Sequence, residues 1–241
     1  MATKVFGIAG VLLGIGASQV AHAFVIDTFS DVFATRYDTI AGSGSEGVYN
    51  TGSTCWLGSR LLLNYQYASP IGGIATTEVN GGWFGSNTPL STNLSAIYYG
   101  AAGWNQGAQT LSYFPGRDEN LSGFVGVRIT VEAAQAGSVL GWDMYDSNLS
   151  VGEFSTYRHT LTSNVTSTTT FDFMFASPTS QSSLFTTSRV DYARVSMNLF
   201  NVPSGGYAIS RIEFIPVPEP ASMTAIAVGL AALARRKSKR A

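Results

Sequence analysis

The chain has 241 residues, 45% of them hydrophobic and 12% charged, with a formal net charge of −1 and a single cysteine. That is enough apolar chain for one well-buried domain, and it excludes both a disordered, highly charged polymer and a disulfide-stapled scaffold. Between residues 24 and 215 there is no lysine. Eight arginines face fourteen carboxylates there, and this net charge of −6 argues against nucleic acid as a partner.

The N-terminus carries one early cation, Lys4, and then an apolar run over residues 5–17. Ala21-His22-Ala23 follows, with small side chains at the −3 and −1 positions of a cleavage site. These are the three parts of a secretory signal peptide, expected as a helix over residues 1–23 that is cut after Ala23 to leave Phe24 first. The partner implied is the secretion translocon.

From Phe24 onward the hydrophobic period is two. Phe24-Val25-Ile26-Asp27-Thr28-Phe29 opens the domain as a strand. Leu61, Leu63, Tyr65 and Tyr67 alternate, as do Val125, Val127, Ile129 and Val131 against Gly126, Arg128, Thr130 and Glu132. Phe171, Phe173 and Phe175 repeat the step. So do Val195, Met197 and Leu199, and finally Ala208, Ser210, Ile212 and Phe214. Such alternation puts one face of each strand on a core and one in water. Clusters of Gly, Asn, Ser and Pro punctuate it at residues 41–47, 80–85, 86–89, 103–107, 115–120 and 201–206. Asp146-Ser147-Asn148 reads as a hairpin turn. No amphipathic helix exceeds two turns between residues 24 and 215. The expected fold is therefore all-β, an antiparallel β-sandwich or jelly roll over residues 24–215, with the opening and closing strands paired as neighbours.

Catalytic residues are scarce in this pattern. His159 is the only histidine left after signal removal, and it sits in a polar stretch read as lying between strands. One histidine cannot build a multi-histidine zinc centre, and no Gly-x-Ser-x-Gly elbow accompanies it. Glu78, Asp118, Glu119, Glu132, Asp143 and Glu153 are the carboxylates from which a glycoside hydrolase pair would be drawn, but spacing alone pairs none of them. No cofactor is expected. Calcium is the one ion whose ligands are present, from Asp27 and Asp31 or from Asp143, Asp146 and Asn148, though a turn explains the second group equally well. Cys55 reads as a small core residue beside Trp56. The aromatic side chains are a stronger lead. Trp83 follows Gly81-Gly82 and Trp104 lies within Gly103-Trp104-Asn105-Gln106-Gly107, both read as loops. A flat ring beside amides is what stacking on a sugar needs, while the plain alternative is that these rings plug the ends of the core.

The C-terminus is built differently. Pro216-Val217-Pro218-Glu219-Pro220 fixes the backbone and removes donors, so it continues neither helix nor strand. Residues 221–234 are uncharged, mostly apolar and compatible with a helix, and Arg235-Arg236-Lys237-Ser238-Lys239-Arg240 ends the chain's apolar run. Fourteen helical residues reach roughly 21 Å, short of the roughly 30 Å hydrocarbon core. Snorkelling of Arg235, Arg236 and Lys237 extends that reach and would keep the basic cluster cytoplasmic, with the preceding domain outside.

Val217-Pro218-Glu219-Pro220-Ala221-Ser222, the Gly229-Leu230-Ala231-Ala232-Leu233-Ala234 run and the basic end (Arg235, Arg236, Lys237, Lys239, Arg240) together resemble the PEP-CTERM sorting signal of Gram-negative bacteria. The same module is sometimes labelled an ice-binding-protein C-terminal domain, a label that implies no ice binding. The resemblance covers residues 216–241. It implies export, transient membrane association through the hydrophobic helix, and processing near Val217-Pro218-Glu219-Pro220 by an exosortase-type membrane peptidase. It also implies a setting of exopolysaccharide and biofilm. The weak hydrophobicity of the Ala-rich segment, which includes Thr224, suits a temporary anchor. The function expected is that of an exported, non-catalytic surface or matrix protein. Alternatives are a carbohydrate-binding module using Trp83 and Trp104, or a surface glycoside hydrolase.

Overall fold

A computed structural model describes residues 23–30, 34–38, 44–51, 55–66, 75–80, 82–88, 93–105, 108, 110–114, 117–146, 153–199, 202 and 205–218. The signal segment and residues 219–241, with Glu219, Pro220 and the basic cluster, lie outside the described residues. The chain divides into two units, Ala23–Pro216 and the two terminal segments Met1–His22 and Val217–Ala241.

In chain order the first strands are β1 (Phe24–Asp27), β2 (Ala34–Asp38), β3 (Gly44–Thr51), β4 (Ser59–Gln66), β5 (Ala75–Asn80), β6 (Trp83–Thr88) and β7 (Asn93–Tyr99). There follow β8 (Ala101–Asn105), β9 (Thr110–Tyr113), β10 (Phe124–Ala133), β11 (Val139–Asp146), β12 (Glu153–Thr160), β13 (Thr169–Met174), β14 (Ser180–Gln181), β15 (Tyr192–Asn198) and β16 (Gly205–Pro216). A single 3-10 turn, Trp56–Gly58, is the one helical element among the described residues.

The strands form two seven-stranded antiparallel sheets. The first runs β13-β10-β16-β6-β5-β2, with β1 beside β16, and the second runs β14-β12-β11-β15-β7-β4-β3. A two-stranded ribbon, β8-β9, forms a separate ladder packed against β3 and β4. The period-two reading explains the layering. Val127, Ile129 and Val131 are fully buried in β10, as are Val195 and Met197 in β15, and Trp142 and Met144 in β11. Each such side chain contributes about 1.5–3 kcal/mol on leaving water. The opening and closing strands do pair, with Phe24 opposite Phe214 and Val25 opposite Glu213. β11 and β12 form the expected hairpin, whose turn lies outside the described residues.

Three expectations change. Leu61, Leu62 and Leu63 are all buried, so β4 is covered on both faces rather than one. The signal was an unbroken leucine run, which marks a two-sided strand, and not the alternation of Leu61 with Leu63. His159 is not between strands but within β12, paired with Leu140, its ring 4.9 Å from that of Phe171. Trp83 and Trp104 do not sit in loops either: Trp83 opens β6 opposite Asn80, and Trp104 lies in β8 opposite Leu111. Pairing with a neighbouring strand outweighs the poor strand propensity of the glycines around both. Cys55 and Trp56 are buried as read, and Trp142 is fully enclosed.

A buried ion pair crosses this core. Arg60 of β4 donates to both oxygens of Asp27 on β1, the Nε contact being 2.7 Å, and neither side chain reaches solvent. Asp27 also accepts from the backbone N–H of Phe29 at 2.7 Å. That bond supports Phe29 at φ +53°, a left-handed conformation a bulky residue adopts only at some cost. Burial pushes the Asp27 carboxyl above its ordinary value, outweighing the pull of Arg60.

Candidate functional site

The outer face of the first sheet carries an open cleft of about 640 Å³, bordered by Trp83, by β10 at Glu132, by β16 from Gly206 to Ser210, and by the loop at Asn164 and Val165. Trp83 is half-buried there. Two residues further along β6 is Gly85, and a Cβ at that position would lie 2.5 Å from Cζ3 of the Trp83 ring. The absence of a side chain at Gly85 thus lets the indole lie across the strand, as a close approach to glycine requires.

The polar wall of the cleft comes from two irregularities in one strand pair. Between β10 and β16 the register passes from Thr130 opposite Arg211 to Val131 opposite Ile209, and then to Ala133 opposite Ala208. Ser210 and Glu132 are the residues passed over. Bulges of this kind re-aim side chains, and here they bring the two together. Ser210 Oγ–H donates to Glu132 Oε1 at 2.5 Å, and Thr168 Oγ1–H donates to Glu132 Oε2 at 2.6 Å. The hydrogen bond from Ser210 leads, with that from Thr168, in holding the Glu132 carboxyl below its ordinary range. Asn164 Oδ1 accepts from the Ala136 backbone N–H at 2.9 Å, which fixes the amide at the rim. The site therefore combines one aromatic platform, one ionised acceptor and one oriented amide.

The other residues singled out by sequence do not gather here. Trp104 belongs to the β8-β9 ribbon, and its side chain lies outside the described residues. Asp143 is on the second sheet, fully buried between Arg158 Nη1 at 2.5 Å and Arg194 Nε at 2.6 Å. Asp146 is paired with Arg189 at 3.1 Å. Asp118 is exposed in a loop, Glu119 forms a bridge to Val190, Glu153 is buried, and Glu78 lies in β5. The calcium candidates Asp27, Asp143 and Asp146 thus already face guanidinium groups, and Asp31 and Asn148 lie outside the described residues. Among the described residues no group of three or more His, Cys, Asp or Glu side chains is placed to hold a metal ion.

Sequence reading missed a second aromatic cluster, on the outer face of the other sheet. Tyr145 and Tyr192 stack at 4.5 Å between centroids, and Tyr113 of the ribbon stacks on Tyr192 at 5.2 Å. Burial, followed by neighbouring negative groups, raises the hydroxyl pKa of both Tyr145 and Tyr192. Arg194 lies beside Tyr98, donating to its hydroxyl at 3.1 Å. These rings spend their faces on one another, whereas among the described residues no ring stacks on Trp83. The sole hint in the sequence was that Tyr98, Tyr145 and Tyr192 occupy outward positions of strands that become neighbours.

Among the described residues no helix is long and apolar enough to cross a membrane. No curated protein matches the chain. It is similar in structure to a family 11 carbohydrate-binding module from Clostridium thermocellum solved with a beta-1,3-1,4-mixed-linked tetrasaccharide. The identity is 15%, covering 82% of this chain and 97% of that one, with a TM-score of 0.43. A family 11 carbohydrate-binding module of the cellulosomal cellulase Lic26A-Cel5E of Clostridium thermocellum gives 15% identity, 82% and 96% coverage, and a TM-score of 0.44. An exo-beta-agarase gives 9% identity over 82% of this chain and 26% of that one, with a TM-score of 0.40. Residues 216–240 match the PEP-CTERM protein-sorting motif. That motif implies export through a membrane-anchored intermediate to the cell surface and recognition by exosortase, a membrane peptidase; the chain thus carries the PEP-CTERM sorting signal behind an all-β domain.

Proposed function

We propose that this is a non-catalytic protein of the cell surface or extracellular matrix that holds a polysaccharide in the Trp83 cleft. The observation that carries the reading is the indole that lies across Gly85 and lines the cleft, together with ionised Glu132 and Asn164. Sugar rings present an apolar C–H face and a hydroxyl rim, and this pairing of ring and acceptors complements both. The domain's sparse charge suits a hydrated, neutral polymer.

Delivery follows from the two ends. In this reading residues 1–23 are a signal peptide recognised through Ala21 and Ala23, residues 24–215 are the working domain, and residues 216–241 are the handle. Val217, Pro218, Glu219 and Pro220 form the processing motif, and Arg235, Arg236, Lys237, Lys239 and Arg240 form the cytoplasmic stop behind the hydrophobic helix. The destination is the exopolysaccharide matrix of a biofilm-forming Gram-negative bacterium.

The hydrolase alternative is less well supported. A general acid needs a carboxyl whose pKa is raised, and the hydrogen bonds from Ser210 and Thr168 move Glu132 the opposite way. A purely structural or adhesive role, without a ligand, is the other reading. Affinity electrophoresis of the domain through gels containing neutral and acidic polysaccharides separates the two. Retardation by a polymer, lost in Trp83→Ala, supports binding. Equal mobility in every gel would leave the structural role standing.

A further inference from the structure

The exposed apolar side chains of the β-domain are not scattered. Among the described residues of Ala23–Pro216, the large ones open to solvent are Phe24, Val25, Tyr113, Phe114, Met174 and Leu184, with Leu184 at 60% and Phe24 at 48% exposure. Strand directions put all six at one end of the sandwich. β16 finishes there at Pro216, opposite Phe124 where β10 begins. Phe24 lies opposite Phe214 near the close of β16. Met174, at the end of β13, lies opposite Gly126 near the start of β10. Tyr113 stacks on Tyr192, the first residue of β15. The loop carrying Leu184 is pinned to the same end, since the Leu121 N–H donates to Thr187 O at 2.7 Å and the Ser182 N–H to Phe154 O at 2.9 Å. Among the described residues the opposite end, with the loops at residues 134–138 and 161–168, exposes none. Single exposed apolar residues are ordinary, but a set collected at one end marks a contact surface.

This is also the end from which the chain runs on into its sorting segment. We propose that the surface formed by these residues lies on the lipid bilayer while residues 221–234 are inserted in it. The proposal rests on the reading of that segment as membrane-inserting. Only residues 217–220 intervene, at most about 14 Å of extended chain. A tether that short gives a high effective concentration, so a weak apolar contact suffices. Arg117, whose guanidinium lies 4.8 Å from the Phe114 ring, and Arg189 stand among Asp118, Glu119 and Asp146. Among the described residues, therefore, no net positive field selects anionic headgroups. The attraction is apolar, and zwitterionic phosphatidylcholine serves as the partner. Laying the domain down in this way would hold the Pro-Glu-Pro segment at the interface where a membrane peptidase works.

The test uses the full chain reconstituted in phosphatidylcholine vesicles, with an environment-sensitive dye on a cysteine placed by Leu184→Cys, Phe114→Cys, Ser163→Cys or Met223→Cys. The native Cys55 is buried, and dye-treated wild type gives the background. Blue-shifted emission at positions 184 and 114, quenched by spin-labelled lipid, with a water-like spectrum at the exposed position 163, is the expected result. Water-like spectra at 184 and 114 together with a shifted one at 223 would overturn this proposal alone. A water-like spectrum at all positions would overturn the insertion of the sorting segment and this proposal with it.

Discussion

Ser210 and Glu132 are the residues that β16 and β10 pass over in their pairing, and Ser210 donates a 2.5 Å hydrogen bond to Glu132. Two bulges that would otherwise only interrupt a ladder instead build the polar wall of the cleft. Glu132 is consequently held below its ordinary carboxyl pKa by hydrogen bonds to its ionised form. A depressed folded-state pKa contributes stability above the unfolded-state pKa and loses it as pH falls through the folded-state value. Carbon-13 NMR titration should find Glu132 ionising below the free-glutamate value, and Ser210→Ala should move its midpoint upward. An unchanged midpoint in Ser210→Ala would refute the role given to that bond.

Gly85→Ala tests the geometry of the platform. The added Cβ would meet Tyr207 O and the Trp83 ring closer than any real Cβ contact. Overpacking of this kind costs about 1–3 kcal/mol. Thermal unfolding should show the loss, and Trp83 fluorescence should shift as the ring is displaced. A variant with wild-type stability and spectrum would show that the indole does not lie across Gly85.

Arg60 and Asp27 are joined in the interior, where an unpartnered charge is costly. Asp27→Ala should destabilise the domain by about 3–5 kcal/mol, because Arg60 is left without its carboxylate. For a domain of this size each kcal/mol lowers Tm by roughly 2–4 °C. Asp27→Leu combined with Arg60→Met should cost less than Asp27→Ala alone, since no buried charge remains. Calorimetry of the two variants decides it, and a double variant as unstable as the single one would contradict the assignment.

Processing at both ends is read out by mass spectrometry of the mature protein from cells that export it. The expected N-terminus is Phe24, and the expected C-terminus lies near Val217-Pro218-Glu219-Pro220. Recovery of surface protein that begins at Met1, or retains Ala241, would contradict the signal peptide or the sorting reading respectively.

Much of the fold was legible in the chain because burial on one face forces a period of two. Val127, Ile129 and Val131 declared β10 in this way, and Phe24 to Phe29 with Tyr207 to Ile215 declared the paired opening and closing strands. What the sequence concealed was pairing. Trp83 reads as part of a glycine-rich loop, yet it opens β6 opposite Asn80 of β5, and only the fold shows that Gly85 makes room for an indole. Glu132 was readable as outward-facing from its alternation with valines. Its meeting with Ser210 depends on two bulges that no local pattern announces. The tyrosine stack of Tyr113, Tyr192 and Tyr145 joins three strands far apart in the chain, and so was equally hidden. Asp143 was visible as a carboxylate but not as the centre of an Arg158–Arg194 clamp, for the same reason.

The most direct test of the account is isothermal titration of the domain with a polysaccharide that retards it in gels, comparing wild type with Trp83→Ala. A central tryptophan of this kind is worth at least about 2 kcal/mol, so the account predicts a rise of roughly 30-fold or more in Kd with the fold intact by circular dichroism. Equal affinities for the two proteins would contradict it.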